Sequence, residues 1–241
     1  MKTVQAGLVF LVCLLTFSQV SGQNKRSFKV LPGQKVIDAI PIDAIYAYQE
    51  FKPGTVQFKN GRVGKSRLNY NCLDVDMEFI NEQGDTLVLE NLSEINYVYF
   101  TNPEDTFYCD KGFLRLLTNR HDVKLAVRKV ITLANGQNIG GFGAVNGGTG
   151  EVSGGVIYTK DQVKTNPRIL KTAIAHEEMT FSENYSWYFG DRYNQYTLAT
   201  KKNVLNLYGK TKPGLVKYLD DHHVNFSNEE DIVMLSTYLQ E

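Results

Sequence analysis

Between Gly54 and Ile131 turn-forming residues cut the chain into eight short β-prone runs, a rhythm that excludes most folds. The runs are Thr55 to Lys59, Arg62 to Asn71, Val75 to Ile80, Thr86 to Glu90, Ile95 to Phe100, Thr106 to Cys109, Phe113 to Thr118 and Val123 to Ile131. Their separators include Gln83-Gly84-Asp85, Asn91 to Glu94 and Asn102-Pro103-Glu104-Asp105, all rich in residues that bend the backbone for local reasons. Parallel strands need crossovers of about a dozen residues or more, and these links are shorter, so an antiparallel meander is expected. Asn60-Gly61 between the first two runs is a strong two-residue hairpin signal. The 14 Tyr and 13 Phe agree with a strand-rich chain. Most runs are shorter than the roughly 9–11 residues of an outer-membrane barrel strand.

Beyond the eight runs the composition changes. Nine glycines fall between Gly136 and Gly155, which favours a loop or linker over a regular element. Met179 to Phe189 and Tyr193 to Ala199, on either side of Gly190-Asp191-Arg192, form a second hairpin pattern. The tail reads as helical. Thr200 is placed to cap Lys201 to Tyr208, Gly209 to end that helix, and Thr211 with Pro213 to open another reaching Asp220 or Asp221. Ser227 and Glu230 match a capping box for a last helix, whose apolar face is Ile232, Leu235, Tyr238 and Leu239. The expected fold is mainly β: an antiparallel meander, curled toward a barrel or sandwich, with a Gly-rich insertion and a small C-terminal helical module. The divisions are residues 23–53 (an N-terminal segment), 54–133 (the meander), 134–166 (the Gly-rich linker), 167–199 (the second hairpin) and 200–241 (the helices).

Residues 1–22 read as a cleaved signal peptide. Lys2 supplies the positive start, Ala6 to Phe17 the apolar run, and Val20-Ser21-Gly22 the residues before a cut that leaves Gln23 first. That apolar run is too short for a membrane span, which needs about 20 residues, so no transmembrane segment is expected in the mature chain. Removing Lys2 leaves 25 basic and 26 acidic residues, a net charge near −1. Such a balance argues against nucleic acid as a partner. Processing also removes Cys13, leaving Cys72 and Cys109, which could form one disulfide or serve as two buried apolar side chains.

Motifs with chemical potential are few. Asp220-Asp221-His222-His223 is the densest set of potential metal ligands, but consecutive helical residues do not converge on one ion. His176-Glu177-Glu178 begins like a zinc-protease helix, yet Thr180 stands where the second His is needed. The Gly-rich stretch lacks the Lys-Ser/Thr ending of a phosphate-binding loop, and no nucleophile elbow occurs. No metal, cofactor or catalytic residue is expected. In the second hairpin Tyr185, Trp187 and Phe189 share one parity and are expected to face the core, leaving Tyr188 outward. Tyr188 and Tyr193, with Phe142 in the Gly-rich stretch, are therefore the candidate binding surface.

Four runs, Phe51-Lys52-Pro53-Gly54-Thr55-Val56, Leu68-Asn69-Tyr70-Asn71, Met77-Glu78-Phe79-Ile80 and Gly84-Asp85-Thr86-Leu87, resemble a family of uncharacterised exported proteins from Bacteroidetes-type bacteria. Ala199-Thr200-Lys201-Lys202-Asn203 and Glu230-Asp231-Ile232 carry the likeness into the tail. The resemblance implies bacterial export, to periplasm, outer membrane or exterior, and no particular activity. The expected function is that of a non-enzymatic envelope or secreted protein, binding or structural, with an envelope protein or glycan as partner. The alternatives are an envelope hydrolase whose site forms only in three dimensions, and a carbohydrate- or peptide-binding module using the aromatic hairpin.

Overall fold

A computed structural model of the chain describes residues 26–101, 104–110, 112–120, 122–134, 138–139, 145–146, 157–159, 162–164 and 178–241. The signal-peptide reading, Phe142, His176 and most of the Gly-rich stretch lie outside them. Each of the eight runs is a strand: β2 (Lys52–Phe58), β3 (Val63–Asn71), β4 (Asp76–Ile80), β5 (Thr86–Val88), β6 (Ile95–Thr101), β7 (Glu104–Cys109), β8 (Phe113–Arg120) and β9 (Val123–Leu133). They are preceded by β1 (Ser27–Val30) and two short helices, α1 (Val36–Ala39) and α2 (Ile42–Ile45). Two small antiparallel pairs follow, β10 (Asn138–Ile139) with β11 (Val145–Asn146) and β12 (Ile157–Thr159) with β13 (Gln162–Lys164). The second hairpin is β14 (Met179–Gly190) and β15 (Tyr196–Leu198), before helices α3 (Lys201–Tyr208), α4 (Leu215–Asp221) and α5 (Glu229–Gln240).

The main sheet has 11 strands, all paired antiparallel, in the order β1-β14-β9-β8-β7-β6-β2-β3-β4-β5, with β15 added to β14. The second hairpin is thus no separate module: β14 pairs with β9 from Phe181↔Leu133 to Gly190↔Lys124. The meander breaks once, because β6 returns to the far side of β2 instead of following β5. The returning segment carries Leu89 and Leu92 against the core. The first hairpin is where Asn60-Gly61 requires it, but the turn is longer than two residues. Phe58 N–H bonds to Arg62 O and Gly61 N–H to Phe58 O, with only Gly61 of that pair at positive φ, the pattern of a three-residue loop with a bulge.

Period-2 alternation puts one apolar face on the inside of a strong curl. Val56, Leu68, Met77, Val98, Phe100, Phe107 and Phe113 all point into it, and each is buried. Gly54 is needed on this face, since a Cβ there would lie 2.8 Å from Leu68 Cδ1. The curl brings β3 against β7 and β8: the Tyr70 ring lies 5.5 Å from Phe107 and 6.5 Å from Phe113. The turn after β3 reaches β9, where Ile131 N–H donates to Cys72 O at 2.8 Å. β1 and β5 remain separate edges, so the sheet is not a closed barrel.

Two cores share this face. The first joins β1 to β4 and β6 to β8 with α1, α2 and the far ends of β9 and β14. In the second, Val123, Leu125, Val127, Trp187 and Phe189 meet Val204, Leu215, Leu219, Ile232, Leu235 and Leu239 of the three tail helices. Thr200 caps α3 as expected, its Oγ1 accepting from Asn203 N–H at 3.2 Å. The cap of α5 is Asn228, whose Oδ1 accepts from Asp231 N–H at 3.0 Å. Ser227 lies one residue outside, its N–H bound by Asn225 Oδ1, which corrects the expected capping box. No helix among the described residues is long and apolar enough to cross a membrane.

Candidate binding cavity at the seam of the two cores

Along β9 the inward residues run Val123, Leu125, Val127, Lys129, Ile131, Leu133, and along β14 Met179, Phe181, Glu183, Tyr185, Trp187, Phe189. Each apolar series is broken once by a charge, and the two breaks meet. Lys129 Nζ lies 3.0 Å from Glu183 Oε1, with only 4% of the Glu183 side chain exposed. Arg26 approaches the same carboxylate at 3.6 Å, and Tyr185 Oη donates to its other oxygen at 3.3 Å. On β8 the inward position opposite Phe107 is Arg115, whose Nε donates to buried Asp105 at 2.7 Å. Tyr48 Oη donates to that same Asp105 oxygen at 2.8 Å.

Lys129, Tyr185 and Arg115 border a cavity of about 210 Å³ between the two cores. Its lining includes Asp43 and Tyr46 from the N-terminal segment, Tyr70 and Cys72 from the end of β3 and its turn, Phe107, Arg115, Lys129 and Tyr185. The Asn71 side chain fixes the turn that delivers Cys72, accepting from Leu73 and Asp74 N–H and donating to Asp74 and Glu78. Tyr46 is oriented from the same side by its hydrogen bond to Glu78, 2.9 Å. Arg115 stands at the mouth, its side chain 45% exposed. Tyr70 is 3% exposed, and its hydroxyl has no hydrogen-bond partner among the described residues.

Burial sets the protonation of the lining. It raises the Tyr70 phenol well above its ordinary value, so the hydroxyl stays neutral and able to donate. Burial pushes the Cys72 thiol up to about 12, against the lowering pull of Lys129 and Arg115. A thiol so placed is protonated at neutral pH and a poor nucleophile. Tyr185 is raised to about 12, first by burial and then by the negative charge of Glu183. The cavity therefore offers neutral hydroxyls, one neutral thiol, two basic side chains, the Asp43 carboxylate and aromatic walls, which is equipment for holding a molecule.

Of the residues singled out from sequence, Cys72 lines this cavity and Cys109 does not; both are free and buried, not joined as a disulfide. Trp187 and Phe189 are buried on the face expected for them. Tyr188 points the other way but is half-covered, since β15 folds Tyr196 beside it and Arg128 lies 5.2 Å over its ring. Tyr193 is 68% exposed at a separate cleft of about 640 Å³ between the Asp191–Tyr193 turn and the C-terminal helices. None of the charged groups lining that larger cleft is buried, whereas buried Asp105 and Glu183 stand behind Arg115 and Lys129 of the smaller one. The Asp220 to His223 cluster disperses: Asp220 pairs with Lys201, Asp221 with Lys217, and His222 stacks on Tyr218. Glu178 pairs with Lys29 at 2.8 Å.

Sequence reasoning missed Tyr70, Arg115, Lys129 and Glu183. For the last two a signal existed in the single break in each inward apolar series. Comparison of the chain with family models, with curated proteins and with solved structures finds no match.

Proposed function

We propose that this is an exported, non-enzymatic binding protein that takes a small molecule into the seam cavity. The gathering of two basic side chains, Arg115 and Lys129, with the aromatic rings of Tyr46, Phe107 and Tyr185 around one cavity carries the proposal. The volume, about 210 Å³, lies below the roughly 300–1,000 Å³ of drug-sized pockets, so the ligand is metabolite-sized. Export and a bacterial envelope setting rest on the signal-peptide pattern and the family resemblance.

The test is ligand-observed NMR with a set of small acidic, neutral and basic aromatic and aliphatic compounds. Binders should lose their signal with Ala47→Leu, which adds bulk to the cavity wall. If nothing binds, or binding is indifferent to that substitution, the cavity is not the site. Exposed Tyr193, with Arg192 4.8 Å from its ring, favours a second reading in which the larger cleft holds a sugar or peptide. A Tyr193→Ala variant that loses binding while Ala47→Leu keeps it would move the function there.

A further inference from the structure

We infer that the larger cleft, beside Tyr193, holds a neutral saccharide, an inference that rests on the second reading above and is independent of the seam cavity. The turn that carries Tyr193 is built more firmly than a link between two strands requires. Two residues can join a hairpin; this link takes five, Asp191 to Gln195. One Asp191 carboxylate oxygen accepts from Tyr193 N–H at 2.8 Å and from Gln195 N–H at 3.0 Å. Lys124, only 7% exposed, donates from Nζ to Asn194 Oδ1 at 2.5 Å and to Arg192 O at 3.3 Å. From the helical side Tyr208 Oη donates to Gly190 O at 2.9 Å. This frame fixes the Tyr193 backbone and leaves its side chain exposed at the cleft wall. A tyrosine so placed has two side-chain torsions left to immobilise, so contact with its ring costs little entropy.

The cleft, about 640 Å³, has the size of a small-molecule site. Its lining joins buried Val123, Tyr208 and Leu239 to a rim of both signs, where the carboxylates of Asp122, Asp191 and Glu241 stand with the cations of Arg192 and Lys212. An ionic ligand would be repelled by one of these sets. A hydroxyl suits both, donating to a carboxylate and accepting from a guanidinium or ammonium. A molecule dense in hydroxyls, with an apolar C–H face for the Tyr193 ring and the buried floor, is a saccharide. Because no charged group of the rim is buried, the bound molecule stays partly in water, which suits a polyol. A peptide commonly binds by adding a strand to an open sheet edge. Next to the lining residues Val123 and Asp191 the strands are closed to it: Lys124 pairs with Asn119 and Gly190, and Gly190 with Lys124 and Tyr196.

Maltotetraose, cellotetraose, xylotetraose, mannotetraose and chitotetraose are the probes, titrated by calorimetry into the full mature chain. At least one should bind. Tyr193→Ala should weaken it about 10-fold or more and Tyr193→Phe less than about 3-fold, because the ring face makes the contact. Lys212→Met, on the helical wall, should weaken it about 3-fold or more through the lost hydrogen bond. Neither residue is buried, so circular dichroism of each variant should match the parent. Retardation in gels containing the parent polysaccharide assigns a stretch of polymer, and binding of the tetramer alone assigns a free oligosaccharide; both support the inference. If anionic tetragalacturonate or cationic tetraglucosamine binds as tightly as the best neutral probe, the neutral ligand falls while the second reading stands. If no saccharide binds but a pool of hexapeptides does, in a manner lost with Tyr193→Ala, the cleft is a peptide site and the saccharide falls alone. Saccharide binding that ignores Tyr193→Ala or Lys212→Met places the contact outside the cleft and overturns the inference, and failure of saccharides and peptides together refutes the second reading as well.

Discussion

Lys129→Met removes the charge from the seam while keeping most of the side chain's length, and it should be the most destabilising single change at the cavity. Glu183, with 4% of its side chain exposed, would lose a cation at 3.0 Å. At an effective dielectric of about 20, the gross attraction at that distance is about 5 kcal/mol. Stranding a buried partner costs about 3–5 kcal/mol in practice. The lower end applies here, because Arg26 remains 3.6 Å away although 43% exposed. The expected loss is therefore about 3 kcal/mol. In urea, with a slope of about 2–3 kcal/mol/M for a chain of this size, the midpoint should fall by about 1–1.5 M. Replacing both partners, Lys129→Met with Glu183→Leu, should return stability to within about 1 kcal/mol of the parent, since an apolar pair leaves nothing uncompensated. A single variant that loses under about 1 kcal/mol at unchanged slope would show that the pair is solvated. A double variant less stable than the single one would show that the charges carry packing the seam requires.

Three further outcomes follow from local geometry. Asn228→Ala should cost about 1 kcal/mol in urea denaturation, while Ser227→Ala should stay within about 0.5 kcal/mol, because the Asn228 side chain holds the Asp231 N–H. Gly54→Ala should cost about 1–3 kcal/mol by the same assay, its new methyl pressing on Leu68 and Phe100. Burial raises Cys72 from 9.0 to about 12 and Cys109 from 9.0 to about 11, so both protonated thiols favour the folded state. Their contribution is fully present below pH 9 and is lost as pH rises toward 11 and 12. Stability should fall above pH 9 by roughly 1.4 kcal/mol per pH unit for each thiol. A Cys72→Ala/Cys109→Ala chain should lie flatter between pH 9 and 10, as read from denaturation midpoints.

Strand positions were legible because alternation and turn chemistry act locally, and every run from Thr55 to Ile131 became a strand. Strand order was not, because the six-residue link from β5 to β6 is only one residue longer than that from β4 to β5, too small a difference to mark the crossover to the far side of β2. Capping shows how close local alternatives can be. Ser227-x-x-Glu230 and Asn228-x-x-Asp231 both match a cap, and Ser and Asn are nearly equal as N-caps. Where Asn228 is the cap, Asp231 Oδ2 also accepts from Asn225 N–H at 2.7 Å and holds the entering chain. Tyr70 was invisible as a site residue because it sits in an ordinary strand. Its hydroxyl becomes isolated only when β3 closes over β7 and β8.

The charges at the seam are hard to explain by stability. An apolar residue at 129 and another at 183 would join the two cores into one continuous face, and a buried ion pair seldom outperforms such a replacement. An unpaired phenol at Tyr70 adds a further cost, which phenylalanine would avoid. Arg115 and Asp105 place another charge pair on the same seam. Buried polar atoms without a partner among the described residues also occur at Trp187, Tyr196 and Thr197, but the charge pairs Lys129–Glu183 and Arg115–Asp105 both stand beside one cavity. Two such pairs at one place mark a region shaped by something besides folding. At this seam the departures share one chemistry: a basic side chain at the wall of a small space, held in place by a buried carboxylate behind it.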